Sequence, residues 1–418
     1  MRKAYIFWIQ TAWCILAAGW LTACNGHDYA PEVPSPEKAP LVLTFKLPSL
    51  LAAESRETAT TAPTLSGIPF NDVWVLQNNN DQTTLLGAKY YTTSEIQSEA
   101  ASADYLVIVP TGEGGTSYFT NENSHFYTIV NGGSDLFGTL TDVELAAPTD
   151  ALKTSYGDAA SLKKVLKAIP AASKTEADEP GLLIDGPIAY SKATGTSPQI
   201  AIRANLTRTY ACINLSYKET NLAVGKFTPT EAVAVNLPTH LALFTREGAA
   251  TGNYPVIKDA TANENTVPAS GGEHSLYSSS AVTPPASWEA ETPLTFYMGE
   301  NLRGTGTSTT YQGKNLAANG PSGTLDGCTC LILRGTYQYV IGTDNSGKPV
   351  YSKDGISVEY KLYPGGNLTN DYHIRRNMRY TITLQISGAN SADARVTITD
   401  SNVIVFDDSQ TIENEVTL

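Results

Sequence analysis

Residues 40–56 read PLVLTFKLPSLLAAESR. Apolar residues occupy alternate positions at its start, in the period-two pattern of a half-buried strand. These apolar positions are Leu41, Leu43, Phe45 and Leu47. The stretch ends at Arg56, which is the only arginine between Arg2 and Arg203. The sequence ETATTAP follows and has the composition of a linker. The stretch therefore predicts an early strand with a solitary, exposed arginine behind it.

The composition favours a β-rich protein. The chain has 418 residues, of which 41% are hydrophobic and 17% charged, and Tyr outnumbers Phe by 22 to 10. This length suits roughly two or three domains. A mixture rich in Tyr, Thr and turn-forming residues is typical of strands and turns. The net charge of −13 argues against a nucleic-acid partner, because binding a phosphate backbone requires a basic patch.

The first 24 residues have the organisation of an export signal. Arg2 and Lys3 form a basic segment, an apolar stretch follows, and Leu-Thr-Ala-Cys ends at Cys24. This ending is similar to a bacterial lipobox, in which the chain is cut before the cysteine and acyl chains such as palmitate are attached. We therefore predict a signal peptide over 1–23 and a membrane-lipid anchor on Cys24. The alternative is an ordinary signal peptide with an incidental cysteine.

Three cysteines remain in the mature chain: Cys212, Cys328 and Cys330. Cys328 and Cys330 are two residues apart, so on a strand they lie on the same face and are poorly placed to bond with each other. No cysteine or histidine cluster has the spacing of a zinc site. We predict buried thiols that pack as small hydrophobes. A disulfide from Cys212 to Cys328 or to Cys330 stays open.

The rest of the chain predicts two β-sandwich domains behind a short tether. Residues 24–39 are polar and proline-rich, which is typical of a tether. The predicted domains span 40–198 and 199–418, and their connection falls near 185–205. The clearest alternating segment, 202–218, is predicted as one long strand.

Helical patterning is limited to two short segments of the N-terminal domain. The segment 134–147 carries Ser134 and Asp135 in cap positions, and 158–169 is followed by Pro170. Further strand candidates are 71–79, 84–92, 103–110, 240–246, 293–301, 328–340, 355–364, 378–387 and 394–406. The predicted class is all-β, with short helices in the first domain.

No pattern of catalytic, cofactor-binding or metal-binding residues emerges from the sequence. The five histidines are scattered, and His125 and His373 are predicted to be surface or loop residues. The mature chain holds only two tryptophans, Trp74 and Trp288, and Trp74 lies in an apolar strand typical of a core. We therefore expect neither an enzyme nor a cofactor.

In order and spacing, nearly the whole chain resembles fimbrillins, the subunits of the type V pili of Bacteroides-like bacteria. The resemblance rests on the lipobox, the early strand ending at Arg56, and three later segments: LTRTYACINLSY, YMGENLRGTG and RRNMRYTITLQISG. The residues that match the family pattern are Arg208, Ala211, Ile213, Arg376, Asn377 and Tyr380. Each motif is weak alone, and their succession carries the resemblance.

The resemblance implies two transthyretin-like β-sandwich domains, no enzymatic activity, and a place in a pilus on the outer membrane and cell surface. It further implies that a protease cuts near Arg56, that the first strand leaves with its four apolar side chains, and that a strand from another subunit fills the groove. The donor strand is expected at 403–406 or at 411–418. Expected partners are other copies or related pilus subunits, membrane lipid through Cys24, and a host or bacterial surface receptor.

Two departures from the family pattern leave the position in the pilus open. The C-terminal end lacks a tryptophan expected in many stalk subunits, and the Glu-Asn-Leu-Arg segment at 300–303 leans towards minor subunits such as anchors and tips.

Arg376 and Arg379 flank a strand and are interpreted as edge charges that discourage aggregation. The alternative functions are a surface-exposed glycan-binding lipoprotein and, less favoured, a secreted hydrolase.

Overall fold

The structure is a computed structural model and is dominated by β-strands, which confirms the predicted all-β class. It describes residues 38–46, 64–65, 68–102, 105–110, 118–162, 165–168, 180–196, 198–219, 225–243, 276–284, 293–386, 396–405 and 411–413. Within these ranges no helix is both long and apolar enough to cross a membrane.

The N-terminal half contains fourteen described strands and three short helices. The strands are β1 Lys38–Ala39, β2 Leu41–Lys46, β3 Thr64–Leu65, β4 Ile68–Pro69, β5 Asp72–Asn79, β6 Leu85–Thr92, β7 Ile96–Ser102, β8 Tyr105–Pro110, β9 Phe119–Thr120, β10 Ser124–Val130, β11 Leu166–Ala168, β12 Leu183–Tyr190, β13 Ile200–Asn205 and β14 Thr207–Arg208. The helices are α1 Asp142–Ala146, α2 Thr149–Tyr156 and α3 Ala159–Leu162.

The C-terminal half is built in the same way from fourteen further described strands. They are β15 Tyr210–Glu219, β16 Gly225–Val235, β17 Leu237–Pro238, β18 His240–Ala242, β19 Leu276–Tyr277, β20 Leu294–Gly299, β21 Asn301–Thr305, β22 Cys330–Thr343, β23 Pro349–Tyr351, β24 Ile356–Leu362, β25 Asp371–Ile374, β26 Met378–Ile386, β27 Val396–Val405 and β28 Thr411–Glu413. One helix, α4 Tyr311–Lys314, precedes two 3-10 turns, Ala317–Asn319 and Pro321–Gly323.

The N-terminal sandwich packs a five-stranded sheet against a four-stranded one. The strand order is β14-β12-β10-β5-β6 in the first and β13-β2-β8-β7 in the second. The inward side chains of β2 and β13 meet those of β5 and β10 in the first core, for example Leu43, Ile202, Val75 and Phe126. Alternation of apolar residues in these strands is what buries one face of each sheet.

The five-stranded sheet is buried on its second face as well. Trp74 and Ile129 point away from the first core and pack with Leu152 of α2, Leu162 of α3 and Leu241 of β18 in a second core. Burial on both faces explains why every residue from Asp72 to Asn78 is buried. Trp74 is fully buried as predicted, and its indole N–H donates to the Gly133 carbonyl at 2.8 Å.

The C-terminal sandwich has its own core. One sheet has the order β20-β15-β26-β27-β28, and the other contains β16-β22-β23 with β24 also paired to β22. Ile213, Leu333, Tyr360 and Leu384 are among the side chains buried between the two sheets. Most pairs are antiparallel, but β15 runs parallel to β26, as β13 runs parallel to β2. The domain boundary at 198/199 stays a prediction, and β13, which begins at Ile200, pairs within the N-terminal sheet.

The prediction of one strand over 202–218 was wrong. The chain leaves the N-terminal sheet after Asn205, pairs briefly with β12 as β14, and enters the C-terminal sheet at Tyr210. The core-facing residues are even-numbered up to Leu206 and odd-numbered from Ala211, so the alternation changes phase where the partner strands change. The segment is therefore the covalent link between the sandwiches.

The predicted helix over 134–147 is shorter than expected, and its cap is different. The helix α1 begins after Thr141, whose hydroxyl accepts the Glu144 backbone N–H at 3.3 Å while the Glu144 carboxylate accepts the Thr141 N–H at 2.8 Å. Residues 134–137 form a turn, and Gly138 has a φ of +94° that ends any helical path there. Ser134 and Asp135 are therefore not helix caps.

The second predicted helix, 158–169, was right only over α3. Its later part forms β11, which pairs antiparallel with β18.

Sequence patterning also missed β16, because Pro229 interrupts the apparent strand. The structure accommodates this proline with a bulge between Pro229 and Glu231 in the pairing of β16 with β22.

Cys212, Cys328 and Cys330 are buried, as predicted, and none of these three takes part in a disulfide in the structure. His373 was predicted to be a surface or loop residue, but it is buried in the strand β25, where its Nδ1 accepts the Gly304 backbone N–H at 3.4 Å.

Candidate functional site

The strand β2 is an internal strand of the four-stranded sheet. It pairs in parallel with β13 on one side and antiparallel with β8 on the other. Leu43 lies opposite both Ile202 and Ile108, and Phe45 lies opposite Ala204 and Leu106. Since both of its edges are hydrogen-bonded to neighbouring strands, β2 has no free edge to which another strand could add while it is in place.

The inward side chains of β2 fill the first core. Leu41, Leu43 and Phe45 are 6%, 1% and 0% exposed. The ring of Phe45 lies 5.6 Å from that of Phe70, centroid to centroid. Burial of each such side chain stabilises a fold by about 1.5–3 kcal/mol. The three together hold β2 in place even without a covalent connection to the residues that follow it.

The residues just before β2 add a second attachment. Ala39 is fully buried, and β1 pairs antiparallel with β9, with Ala39 opposite Phe119. The Pro40 carbonyl accepts the Ile200 backbone N–H at 2.9 Å. Residues 38–46 are thus hydrogen-bonded partners of three strands: β9, β13 and β8.

The opposite end of the β2–β13 pair carries a partly buried carboxylate, that of Asp185. The Asp185 side chain accepts the backbone N–H of Asn205, the last residue of β13, at 2.6 Å, and that of Gly186 at 2.8 Å. Burial raises the pKa of the Asp185 carboxyl above its usual value, although these two N–H groups act in the opposite direction. This contact fixes the end of β13 where the chain turns towards the C-terminal sandwich.

Three of the predicted site residues lie outside the described residues: Cys24, Leu47 and Arg56. Leu41, Leu43 and Phe45 are brought together as expected, and their role as removable side chains stays a prediction. The walls of the groove, β8 and β13, were not identified from the sequence. The alternation of Ile200, Ile202 and Ala204 was the available signal for β13, but Ile202 and Ala204 were assigned to the predicted strand over 202–218.

The two candidate donor segments occupy different positions. Residues 403–405 belong to β27, which is paired on both sides, with β26 and with β28. Residues 411–413 form β28, which lies at the edge of the sheet and makes three residue pairs with β27.

The residues late in the chain that match the family pattern lie where the two sandwiches meet. Arg376 forms an ion pair with Glu300, with its Nη2 and Nε at 3.0 and 3.2 Å from Oε2. The two side chains are 10% and 3% exposed, and Arg376 Nη1 donates to the Leu243 carbonyl at 2.8 Å. Leu243 in turn donates its N–H to the Val165 carbonyl. The pair therefore ties the C-terminal sheet to the segment beside the N-terminal helices.

The prediction that Arg376 and Arg379 are edge charges was wrong. Both flank or lie in β26, which is paired on both sides, with β15 and with β27. Whether a strand is internal or at an edge depends on the order of strands in the sheet, and the local sequence does not give that order.

Asn377 and Tyr380 complete this junction. Asn377 has a φ of +56°, a left-handed conformation that asparagine tolerates, and its N–H donates to the Tyr210 carbonyl at 2.7 Å. The Tyr380 hydroxyl accepts the Arg375 N–H at 2.8 Å and donates to the His373 carbonyl at 3.2 Å. Burial raises the pKa of this hydroxyl, so it stays protonated as a donor. These contacts make the junction a structural site.

Comparisons with known proteins give a family model and several solved structures. A family model described as "Domain of unknown function (DUF4906)" matches residues 296–384, which include the junction residues Glu300 and Arg376. No curated protein matches the chain.

The similar solved structures are described as fimbrial proteins or putative cell adhesion proteins. A "putative cell adhesion protein" from Parabacteroides distasonis matches with a TM-score of 0.49 and 15% identity, covering 88% of this chain and 98% of that one. The tip fimbrial protein Mfa3 from Porphyromonas gingivalis matches with a TM-score of 0.41 and 10% identity, covering 88% and 99%. A fimbrilin from Porphyromonas gingivalis matches with a TM-score of 0.41 and 13% identity, covering 86% and 96%. The chain is thus similar to fimbrial proteins.

Proposed function

We propose that this chain is a structural or adhesive subunit of a cell-surface pilus, assembled by exchange of its first strand after proteolysis near Arg56. One observation carries the proposal. The first strand after the predicted tether, β2, is internal to its sheet and contributes three buried side chains to the first core. An internal strand that lies close to a cleavable linker is what strand exchange between subunits requires.

Loss of an internal strand has a specific energetic consequence. Removing β2 leaves unpaired N–H and C=O groups on both β8 and β13, and it uncovers the first core. Unpaired buried backbone groups and exposed apolar surface are both costly, and one added strand corrects both. Because the added strand comes from another copy, the contact is heterologous and repeats along a filament.

The edge position of β28 favours 411–418 as the donor. Withdrawing 403–406 breaks a strand that is paired on both sides, whereas β28 gives up three pairs at the edge of its sheet. The sequence TIENEVTL places Ile412, Val416 and Leu418 at even positions. Their spacing is that of Leu41, Phe45 and Leu47, so the segment can present apolar side chains to the same positions of the groove.

A labelled peptide of residues 409–418 tests strand exchange directly. We expect it to bind protein that has been cut after Arg56, because the groove becomes available only when β2 can leave. Uncut protein should not bind it, and neither should the cut protein bind a matched peptide carrying Val416→Asp. Fluorescence anisotropy measures both. Equal binding to cut and uncut protein would show that the peptide occupies some other surface.

We also propose that the protein reaches the outer membrane and cell surface as a lipoprotein attached through Cys24. Metabolic labelling with an acyl probe should mark the wild-type protein, and Cys24→Ala should lose the label because its sulfur is the attachment atom. Equal labelling of both proteins would rule out this anchor. A host or bacterial surface receptor stays a prediction for the adhesive role.

The position of Trp74 does not favour the glycan-binding alternative. A glycan platform needs exposed aromatic rings, and the side chain of Trp74 is fully buried. Within the described residues no group of three histidine, cysteine, aspartate or glutamate side chains is arranged to hold a metal ion. The proposed role as a pilus subunit is that of a protein without enzymatic activity.

A further inference from the structure

The amine of Lys314 is buried in the C-terminal half of the protein. Lys314 is the last residue of α4 and is 1% exposed. Its Nζ donates to the backbone carbonyl of Asn367 at 2.7 Å and lies 5.0 Å from the centroid of the Tyr372 ring. Tyr372 in turn donates its hydroxyl to the Lys314 carbonyl at 2.7 Å. A lysine is almost never buried to this extent unless a carboxylate pairs with it.

The site satisfies a neutral amine better than an ammonium group. An ammonium group has three N–H donors, and among the described residues the Asn367 carbonyl is the one hydrogen-bond acceptor of Nζ. None of the ion pairs among these residues includes Lys314. The Asp371 carboxylate is engaged elsewhere: Oδ1 accepts the His373 N–H at 2.7 Å, and Oδ2 pairs with Arg375 at 3.3 Å. Protonation of Lys314 therefore creates a buried charge that the site does not fully compensate.

The Asn367 carbonyl belongs to a compact loop that packs on Lys314. The loop spans 363–370, between β24 and β25, and the Asn367 Oδ1 accepts the backbone N–H groups of Asn370 and Asp371 at 2.8 and 3.0 Å. A Cβ at Gly365 would overlap the Asp371 carbonyl oxygen and lie 3.2 Å from Lys314 Nζ. The loop is thus folded on itself, and the Nζ hydrogen bond joins it to α4.

The same loop forms one wall of a small pocket. The pocket lies between α4, the end of β24, β26 and the loop, and its lining includes Tyr311, Tyr363 and Leu368. Gly365 also lines the pocket and packs against Lys314 Nζ. Movement of the loop away from Lys314 therefore opens this pocket and uncovers tyrosine side chains.

The charges around the amine favour its neutral form at neutral pH. The charged and titratable groups nearby are Arg303 of β21, Cys328 before β22, Asp371, Tyr372 and His373 of β25, and Arg375 after it. Burial lowers the pKa of the Lys314 amine from 10.5 to about 7, although Asp371 and Cys328 act in the opposite direction. Burial raises the pKa values of Cys328 and Tyr372 to about 11 and about 12 and lowers that of His373. These last three groups therefore stay neutral between pH 7 and 9.

We propose that the loop 363–370 is a latch that protonation of Lys314 opens. While the amine is neutral, the loop stays closed on α4. When the amine takes up a proton, the ammonium group gains more from water than from its buried site, and the loop moves away from α4 and opens the tyrosine-lined pocket. The latch does not depend on strand exchange, because all of its residues lie in the C-terminal half.

Hydrogen exchange of the full-length protein tests the latch. The reporters are the Asn370 and Asp371 N–H groups, which the Asn367 side chain binds in the closed loop. The open loop binds a proton more tightly than the closed one, so acid favours opening. An amine with a pKa of about 7 in the closed loop and 10.5 in the open loop makes opening about fifty-fold more favourable at pH 7 than at pH 9. We therefore expect protection factors, corrected for the intrinsic effect of pH on exchange, to fall about fifty-fold from pH 9 to pH 7 and then to level off.

Two variants assign this pH dependence. Lys314→Met removes the amine and keeps an unbranched side chain, so its loop should be equally protected at pH 7 and pH 9. The matched control, Lys153→Met, changes an exposed lysine of α2 and should keep the wild-type pH dependence. Equal protection of the wild-type loop at the two pH values, or a pH dependence that persists in Lys314→Met, overturns the latch.

A titration of the wild-type protein decides the matter if Lys314→Met fails to fold. Nitrogen-15 NMR of the lysine side chains follows the protonation of Nζ directly. A Lys314 midpoint between pH 7 and 9 supports the latch. A midpoint at the usual lysine value of about 10.4 shows that the amine is already in contact with water, and it overturns the latch.

Discussion

Arg56→Ala should keep the protein monomeric under an arginine-specific protease that converts the wild type into strand-linked multimers. In the wild type the first cut should fall after Arg56, because Glu54, Ser55, Glu57 and Thr58 form a polar setting with the composition of a linker. The cut frees residues 38–46 from the rest of the chain. In the variant this strand stays covalently attached and refills its own groove faster than any other strand can enter, as an intramolecular partner at high effective concentration.

Exchange in the cut wild type should be slow rather than immediate. The cut strand keeps its ladders to β8 and β13 and its three buried side chains, each worth about 1.5–3 kcal/mol. Size-exclusion chromatography over hours should therefore show a gradual shift from monomer to multimers. Arg334→Ala is a suitable control, since this arginine lies on the exposed face of β22 between Glu231 and Glu359. If Arg56→Ala forms multimers at the wild-type rate, release of the first strand is not the switch.

Glu300→Ala should lower the free energy of unfolding by about 3–5 kcal/mol, the largest single effect that we expect on stability. The change leaves the Arg376 guanidinium in a site that is 10% exposed, without its carboxylate partner. Removing one member of a buried ion pair costs more than the pair contributes, because the remaining charge has lost both water and partner. Denaturation by guanidinium, followed by circular dichroism, measures the loss.

Two further variants separate the ion pair from other effects. Replacing both partners, as in Glu300→Met with Arg376→Met, should recover much of the loss, because no unpaired charge then remains in the junction. Glu359→Ala breaks an exposed pair with Arg334 and should cost no more than about 1 kcal/mol. A loss of under 1 kcal/mol for Glu300→Ala would mean that water reaches Arg376 and that the junction is looser than its hydrogen bonds indicate.

Local sequence predicted the parts of the fold that depend on one face of one strand. The alternation of Leu41, Leu43 and Phe45 identified β2 and its buried side because burial of alternate residues is a property of a single strand. The composition around Trp74 indicated a core position for the same reason. The three cysteines are buried, in agreement with the prediction that they pack as small hydrophobes.

The failures concern partners that are distant in the chain. The segment 202–218 serves two sheets, and its core-facing residues change from even to odd numbers between Leu206 and Ala211. The prediction of one strand overlooked this change of phase. Arg376 was taken for an edge charge because its partners, Glu300 and Leu243, are far away in sequence. The groove was missed in the same way: its walls are β8 and β13, which only the sheet brings to the two sides of β2.

The parallel pairing of β15 with β26 gives the C-terminal sheet one direction in which it resists force best. Tension that pulls the first residues of β15 in one direction and the last residues of β26 in the other loads the C-terminal sheet from opposite ends. This pull acts along the strands, so the eight residue pairs from Cys212–Arg379 to Glu219–Ile386 bear it in shear and must yield together. A ladder pulled across its strands opens one bond at a time. The C-terminal sheet therefore resists force best along its strands, between the junction and its opposite end.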